Sequence, residues 1–395
     1  MAAPRVLRGH GADDSRPIKS VELFFDLVYV FAFTQLSHEL LAHLTLRGAL
    51  ETLIMFLAVW WGWNETAWAT NWIDPAHAAV RVLLVALMLL SLVTSAAIPR
   101  AFDGRGAIFA CSYVGLQALR SAFVLVAHRR EPMARHWAHL LTWTLIAGAL
   151  WIAGAFVHED ARVGIWALAA VLDLGAPLHG FWLPRFGSKR LSEWRLAGEQ
   201  FAERFELVVL IALGESILAL GRTFDNIDLS ASAVSAFALG FVTAAALWWI
   251  YFVGYAEAGA RTVAAAEAPA VLGRVAYAYS HAILVAGVIV FAVGVERALT
   301  HPTGSTSAAT GLAVLGGPAI YLAGVELFKL TLWRRVALPP LVAIGVLAAL
   351  GLLTPAIDPL EVVGAATGVA VALTLYAAAP QRDTVSSPWP RRGSR

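Results

Sequence analysis

The sequence predicts an all-α, polytopic helical membrane protein of about twelve transmembrane helices in two parallel six-helix repeats. Three observations carry that expectation. Apolar stretches recur along the chain, each long enough for the roughly 30 Å hydrocarbon core of a bilayer. Hydrophobic residues make up 59% of the chain and charged ones 14%, with a mean hydropathy of +0.69, outside the balance of a soluble domain. Landmarks also recur about a basic connection near mid-chain. Trp60-Trp61 is answered by Trp248-Trp249, and Arg129-Arg130 by Arg334-Arg335.

Taken in order, a polar, basic tail at 1–20 precedes helix 1 and lacks the apolar core of a cleavable signal. Helix 1 (21–43) is an apolar run that nevertheless holds Glu22, Asp26, His38 and Glu39. Helix 2 (49–72) carries Trp60, Trp61, Trp63 and Trp68 around Asn64 and Glu65. Helices 3 (78–98) and 5 (138–157) are apolar spans. Helix 4 (106–128) bears Arg120, and helix 6 (163–182) bears Asp173 and His179. A Gly-, Ser- and Arg-bearing linker at 183–199 then divides the chain.

The second repeat (200–379) opens with helix 7 (200–221), which carries Glu203, Arg204, Glu206 and Glu215. Helix 8 (232–256) repeats the tryptophan pair, and helix 9 (271–295) brings Tyr277, Tyr279 and His281. Helix 10 (310–330) holds Glu326 and Lys329. Helices 11 (336–353) and 12 (360–379) complete the set. Residues 380–395 are rich in Pro, Ser and Arg and are expected to be a disordered basic tail.

Basic residues orient the spans. With both termini in the cytoplasm, inner loops, tails and helix ends hold 22 of the 29, against six outside and Arg120 within a span. This asymmetry follows the positive-inside rule for an even number of helices in a bacterial inner membrane.

The ionisable residues inside the spans are the candidate site. A charge at the bilayer centre costs about 2.5–3.5 kcal/mol even on a lenient insertion scale, so such groups face the bundle and pair. Asp26, Glu65, Arg120, Asp173 and His179 fall in one inner layer of the first repeat, with Arg120 the expected counter-ion of one of the acids. In the second repeat the candidates are Glu206, Glu215 and His281. Phe25-Asp26-Leu27-Val28 lines up with Phe205-Glu206-Leu207-Val208, which places Gln35 opposite Glu215. At about 100° per residue Glu206 and Glu215 point to opposite sides of a straight helix, so joint action needs a break at Gly214. Glu22, Glu199 and Glu203 also suit the positive end of a helix dipole. His281 alone is more often the pattern of a hydrogen-bonded core histidine than of a site residue.

No phosphate-cradling glycine loop, nucleophile elbow, His-Glu-x-x-His or nucleic-acid module occurs, and no soluble domain is large enough for an ATP-driven pump. The single cysteine, Cys111, excludes an internal disulfide. No cofactor, metal or catalytic residue is expected. The expected partners are the lipid bilayer and a small solute or ion, without nucleic acid, and self-association into a homo-oligomer is compatible with this picture.

Glu22-Leu-Phe-Phe-Asp-Leu-Val-Tyr-Val-Phe-Ala32, His179-Gly-Phe-Trp-Leu-Pro184 and the Glu199 to Ser216 stretch, with Glu-Arg-Phe-Glu-Leu and Ile-Ala-Leu-Gly-Glu-Ser, resemble the bacterial low temperature requirement A family. Tyr279-Ser-His281, Val295-Glu296 and His301-Pro302 extend the resemblance over about 20–380. The resemblance implies a multi-pass membrane protein linked to growth in the cold, and it brings no set of site residues with it. The leading functional expectation is a secondary transporter or ion channel using paired intramembrane acids. A membrane-embedded enzyme acting on a lipid or isoprenoid (Asp173 with His179) is the alternative, as is a non-catalytic sensor or scaffold.

Overall fold

The structure, a computed structural model, describes residues 6–8, 18–188, 196–228 and 230–378. Most of the N-terminal tail, Lys189, Arg190 and Arg195 of the linker, and the tail 380–395 lie outside the described residues. In chain order the helices are α1 (Ser20–Ala42), α2 (Leu46–Thr70), α3 (Ala78–Ala97), α4 (Gly106–Ala127), α5 (Ala134–Ala155), α6 (Glu159–Gly175) and α7 (Gly198–Asp225). There follow α8 (Ala231–Trp248), α9 (Glu257–Ala264), α10 (Pro269–Gly273), α11 (Ser280–Thr300), α12 (Ala308–Trp333), α13 (Leu338–Gly351) and α14 (Pro359–Ala378). The described residues contain no strand beyond two isolated bridges.

Each expected span falls on a helical segment. α8 passes through a π-helical stretch, Trp249–Ala256, into α9, and α10 passes through another, Arg274–Tyr279, into α11. Ten segments among the described residues are long and apolar enough to cross a membrane. The other two are α2, which carries Arg47, Glu51 and Glu65, and α13, which has only 14 residues. α7 runs unbroken through Gly214, because nothing there interrupts the backbone ladder.

The chain divides into two compact units, Met1–Arg204 and Phe205–Arg395. The division falls inside α7.

In the first unit α2 is the central element. Residues 58–73 are buried on every side, as expected of a helix in the interior of a bundle. It starts cleanly because the Thr45 hydroxyl accepts from the Gly48 amide at 3.1 Å. Gly48 itself is required by the tight α1–α2 corner, where a β-carbon would run into the His43 carbonyl. A second anchor is Arg162 on α6, which is buried and donates to the carbonyls of Ala101, Phe102, Gly154 and Ala155. It thereby satisfies backbone groups at the ends of two neighbouring segments. Beside it Phe109, Trp151 and Trp166 pack at tilted angles with centroids 5.4–6.1 Å apart.

In the second unit α11 and α12 pack backbone to backbone. A β-carbon on Gly317 would lie 2.5 Å from Phe291 Cα, and one on Gly287 2.5 Å from the Tyr321 amide. Gly287 and Gly294 are two turns apart on α11, as are Gly317 and Gly324 on α12, so each helix offers one flat stripe. Such small-residue stripes let membrane helices approach closely and gain dispersion contacts. α12 begins under a Ser307 cap on Thr310 and ends at Arg334, whose φ of 55° is left-handed.

Candidate functional site

Helix α2 places its polar residues inward because it has no membrane face in its second half. Trp63, Asn64, Glu65 and Thr66 occupy one turn there and Thr70 the next. The threonine hydroxyls donate back to carbonyls one turn earlier, Thr66 to Gly62 at 2.8 Å and Thr70 to Thr66 at 3.2 Å. Their oxygens are left to accept from cations on neighbouring helices.

Two arginines use them in different ways. Arg204, in the first turns of α7, donates to Asp26 at 2.6 Å and to Thr70 at 2.6 Å. Asp26 on α1 also accepts from the Trp63 indole at 2.8 Å. Glu22, one turn earlier on α1, lies 3.9 Å from Arg204 and 3.4 Å from Arg8. Arg8 also contacts Gln200 and donates to the Ile73 carbonyl, while its amide bonds the Trp72 carbonyl at 2.9 Å. This is a clasp of buried charges in which opposite signs meet directly. The sequence pointed to Arg120 as the counter-ion of an acid; the structure gives Asp26 to Arg204 instead.

Arg120 is only 1% exposed and forms no ion pair among the described residues. One guanidinium nitrogen, Nη1, donates to Gln117 at 2.5 Å and lies 3.4 Å from both the Gly62 carbonyl and the Thr66 hydroxyl. Nε and Nη2 have no hydrogen-bond partner. The contact with Gln117 starts a chain: the Gln117 amide donates to the Tyr113 hydroxyl at 3.1 Å, and Tyr113 donates to Asp173 at 2.8 Å. The Trp151 indole donates to the same carboxylate oxygen at 2.9 Å. Arg120 and Asp173 are therefore joined through two intervening side chains.

Glu65, 3% exposed, makes no hydrogen bond or ion pair among the described residues, and its Oε1 is buried without a partner. A narrow cavity between α2, α4, α5 and α6 is lined by Trp61, Glu65, Gln117, Arg120, Trp143 and Asp173. It has about 10 Å³ of room for a water centre, the space of a single water. Both side-chain polar atoms of the buried Asn64 also lack partners.

The remaining predicted residues do not join this cavity. His179 is exposed in a short 3-10 turn, Ala176–His179, after α6. In the second unit Glu215 is buried and pairs with Arg222 at 2.7 Å, two turns along the same helix. That basic partner stood seven residues away and was readable from the spacing. His281 accepts from the Tyr251 hydroxyl at 2.7 Å, and its Nδ1 faces the Ala276 carbonyl at 3.1 Å. Phe205, Tyr251, Tyr277 and Phe328 enclose its ring, and Glu206 lies near enough to both tyrosines for its charge to reach them. Glu326 pairs with Lys329 and accepts from the Ala337 amide at 3.0 Å. Among the described residues no group of three or more His, Cys, Asp or Glu is arranged to hold a metal ion.

Sequence reasoning passed over Arg204, Gln117, Tyr113 and Trp63 as site residues. Arg204 carried a signal, since a cation in the first turns of a helix opposes the dipole and calls for a buried acid. The others are neutral and left none.

Ten helices among the described residues are long and apolar enough to cross a bilayer, and with the charges buried in each unit they define the class: a polytopic helical membrane protein. The chain belongs to the bacterial low temperature requirement A protein (LtrA) family, whose profile matches residues 18–375. It is 35% identical over 317 residues to an uncharacterized protein of Rhizobium meliloti (strain 1021), covering 80% of this chain and 76% of that one. No solved structure matches it.

Proposed function

We propose that the protein is a secondary transporter or channel of a bacterial plasma membrane, and that its solute path passes the cavity between α2, α4, α5 and α6. One observation carries this reading: Arg120 and Glu65 are both buried, oppositely charged and not paired with each other. A scaffold has no use for such an arrangement, because an unsatisfied buried charge is among the most destabilising features a fold can hold. The Asp26–Arg204 clasp supplies the contrast, since there the two opposite charges meet directly at 2.6 Å. Incomplete pairing beside a cavity suits a site that exchanges its contents.

The test is flux through proteoliposomes of the purified protein. Proton, sodium, potassium, halide and small organic acid movement would be followed beside Arg120→Gln and Asp26→Asn. Flux of one solute that falls at least tenfold in Arg120→Gln supports the path. No flux of any of them through folded wild-type protein removes the permeation reading. The organisation into parallel repeats, with both termini cytoplasmic, belongs to the same proposal.

A further inference from the structure

We propose that the cavity beside Arg120 is a binding site for a planar oxyanion, and that Glu65 is the group this anion displaces. The chemistry is that of a carboxylate on a small organic acid, or of bicarbonate or nitrate. The inference rests on the permeation reading for its role in transport, whereas the binding itself can be tested apart from it.

Two of the three Arg120 guanidinium nitrogens are free. Nη1 of Arg120 is committed to Gln117, with Gly62 and Thr66 alongside. The unpartnered atoms are Nε and Nη2. These two present parallel N–H bonds along one edge of the guanidinium, the edge that grips two oxygens of a planar anion at once. A spherical ion such as chloride gains no comparable advantage from a fork. The Gln117 contact fixes the plane of the guanidinium, so the fork is oriented before any ligand arrives.

The second observation is Glu65. Its carboxyl is buried and partnerless, and it lines the same narrow cavity as Arg120. With room for about one water, the cavity admits an oxyanion only when the Glu65 side chain turns away. What that movement vacates is the volume of a carboxylate, which matches the incoming group. Arg120 would then share the cavity with Glu65 in one state and hold the solute in the other, giving the two states that alternating access requires. Elsewhere the buried acids are engaged: Asp173 by Tyr113 and Trp151, Asp26 by Arg204 and Trp63, and Glu215 by Arg222.

The experiment measures thermal stabilisation of the purified full chain in detergent, titrated with sodium acetate, bicarbonate or nitrate against chloride at equal ionic strength. A ligand that binds only the folded state raises Tm with its concentration. Acetate alone raising Tm assigns an organic acid, and a rise with bicarbonate or nitrate assigns the inorganic source. Arg120→Lys keeps the charge and loses the fork, so the apparent Kd weakens at least tenfold. Glu65→Gln removes the competitor and tightens binding about tenfold.

Equal stabilisation by chloride overturns the proposal, as does Arg120→Lys binding like wild type. Unchanged affinity in Glu65→Gln overturns the displacement. Should Arg120→Lys fail to fold, the planar-against-spherical comparison on wild type decides alone. Anion binding with no flux of any solute keeps this site and removes the permeation reading. Cation flux with no planar-anion effect does the reverse.

Discussion

At the scale of single residues, the two buried arginines differ in what surrounds them, and their substitutions should differ accordingly. Removing Asp26 leaves Arg204 buried without its nearest counter-charge, a change that costs roughly 3–5 kcal/mol in soluble proteins. We expect Asp26→Ala to unfold at markedly lower temperature or denaturant concentration in detergent, and Asp26→Asn to lose less because an acceptor remains for Trp63. The double variant Asp26→Leu with Arg204→Met should regain most of the loss. A single variant within about 0.5 kcal/mol of wild type, the range of an ordinary surface change, would show that the clasp does not hold the unit. Helix 1 announced Asp26 as a charge where an apolar span tolerates it poorly. Its partner was hidden, because Arg204 is 178 residues away and contact between distant helices leaves no local pattern. Arg120 was visible for the same reason as Asp26. Its lack of an ion pair was not, since that depends on how Gln117 and Glu65 turn inside a packed interior.

At the scale of elements, the span boundaries were legible to within a few residues because bilayer thickness dictates them. The π-helical stretches Trp249–Ala256 and Arg274–Tyr279 were not, because an extra residue per turn leaves hydropathy unchanged. These stretches adjoin the Tyr251–His281 hydrogen bond, which places both tyrosines against one histidine. The glycine stripes of α11 and α12 give the sharpest element-level prediction, since adjacent glycines serve as test and control. A β-carbon on Gly317 meets the α11 backbone, whereas one on Gly316 meets nothing within 4 Å. Gly317→Ala should therefore destabilise by about 1–3 kcal/mol through overpacking. Gly316→Ala should be neutral or stabilising by up to about 1 kcal/mol, the gain in helix propensity. Comparable losses at both positions, measured by reversible unfolding in mixed micelles, would mean that the two helices are not in backbone contact.

At the scale of the whole molecule, everything turns on whether α13 crosses the membrane. Its 14 residues rise about 21 Å, less than the hydrocarbon core, so a crossing demands local thinning of the bilayer. The charges argue that it does cross. If α13 turned back, α14 would end outside and carry Arg382, Arg391, Arg392 and Arg395 with it, against the positive-inside rule. Because Cys111 is the single cysteine, Cys111→Ser provides a background for labelling with a membrane-impermeant thiol reagent. Single cysteines at Glu131 and Arg335, both exposed between helices, should react only once the cytoplasmic face is opened. Cysteines at Asp103, Thr303 and Leu352 should react on intact cells. Protection of Leu352→Cys together with Arg335→Cys would make α13 re-entrant. The number of crossings would then be odd, and the two halves could no longer be parallel repeats.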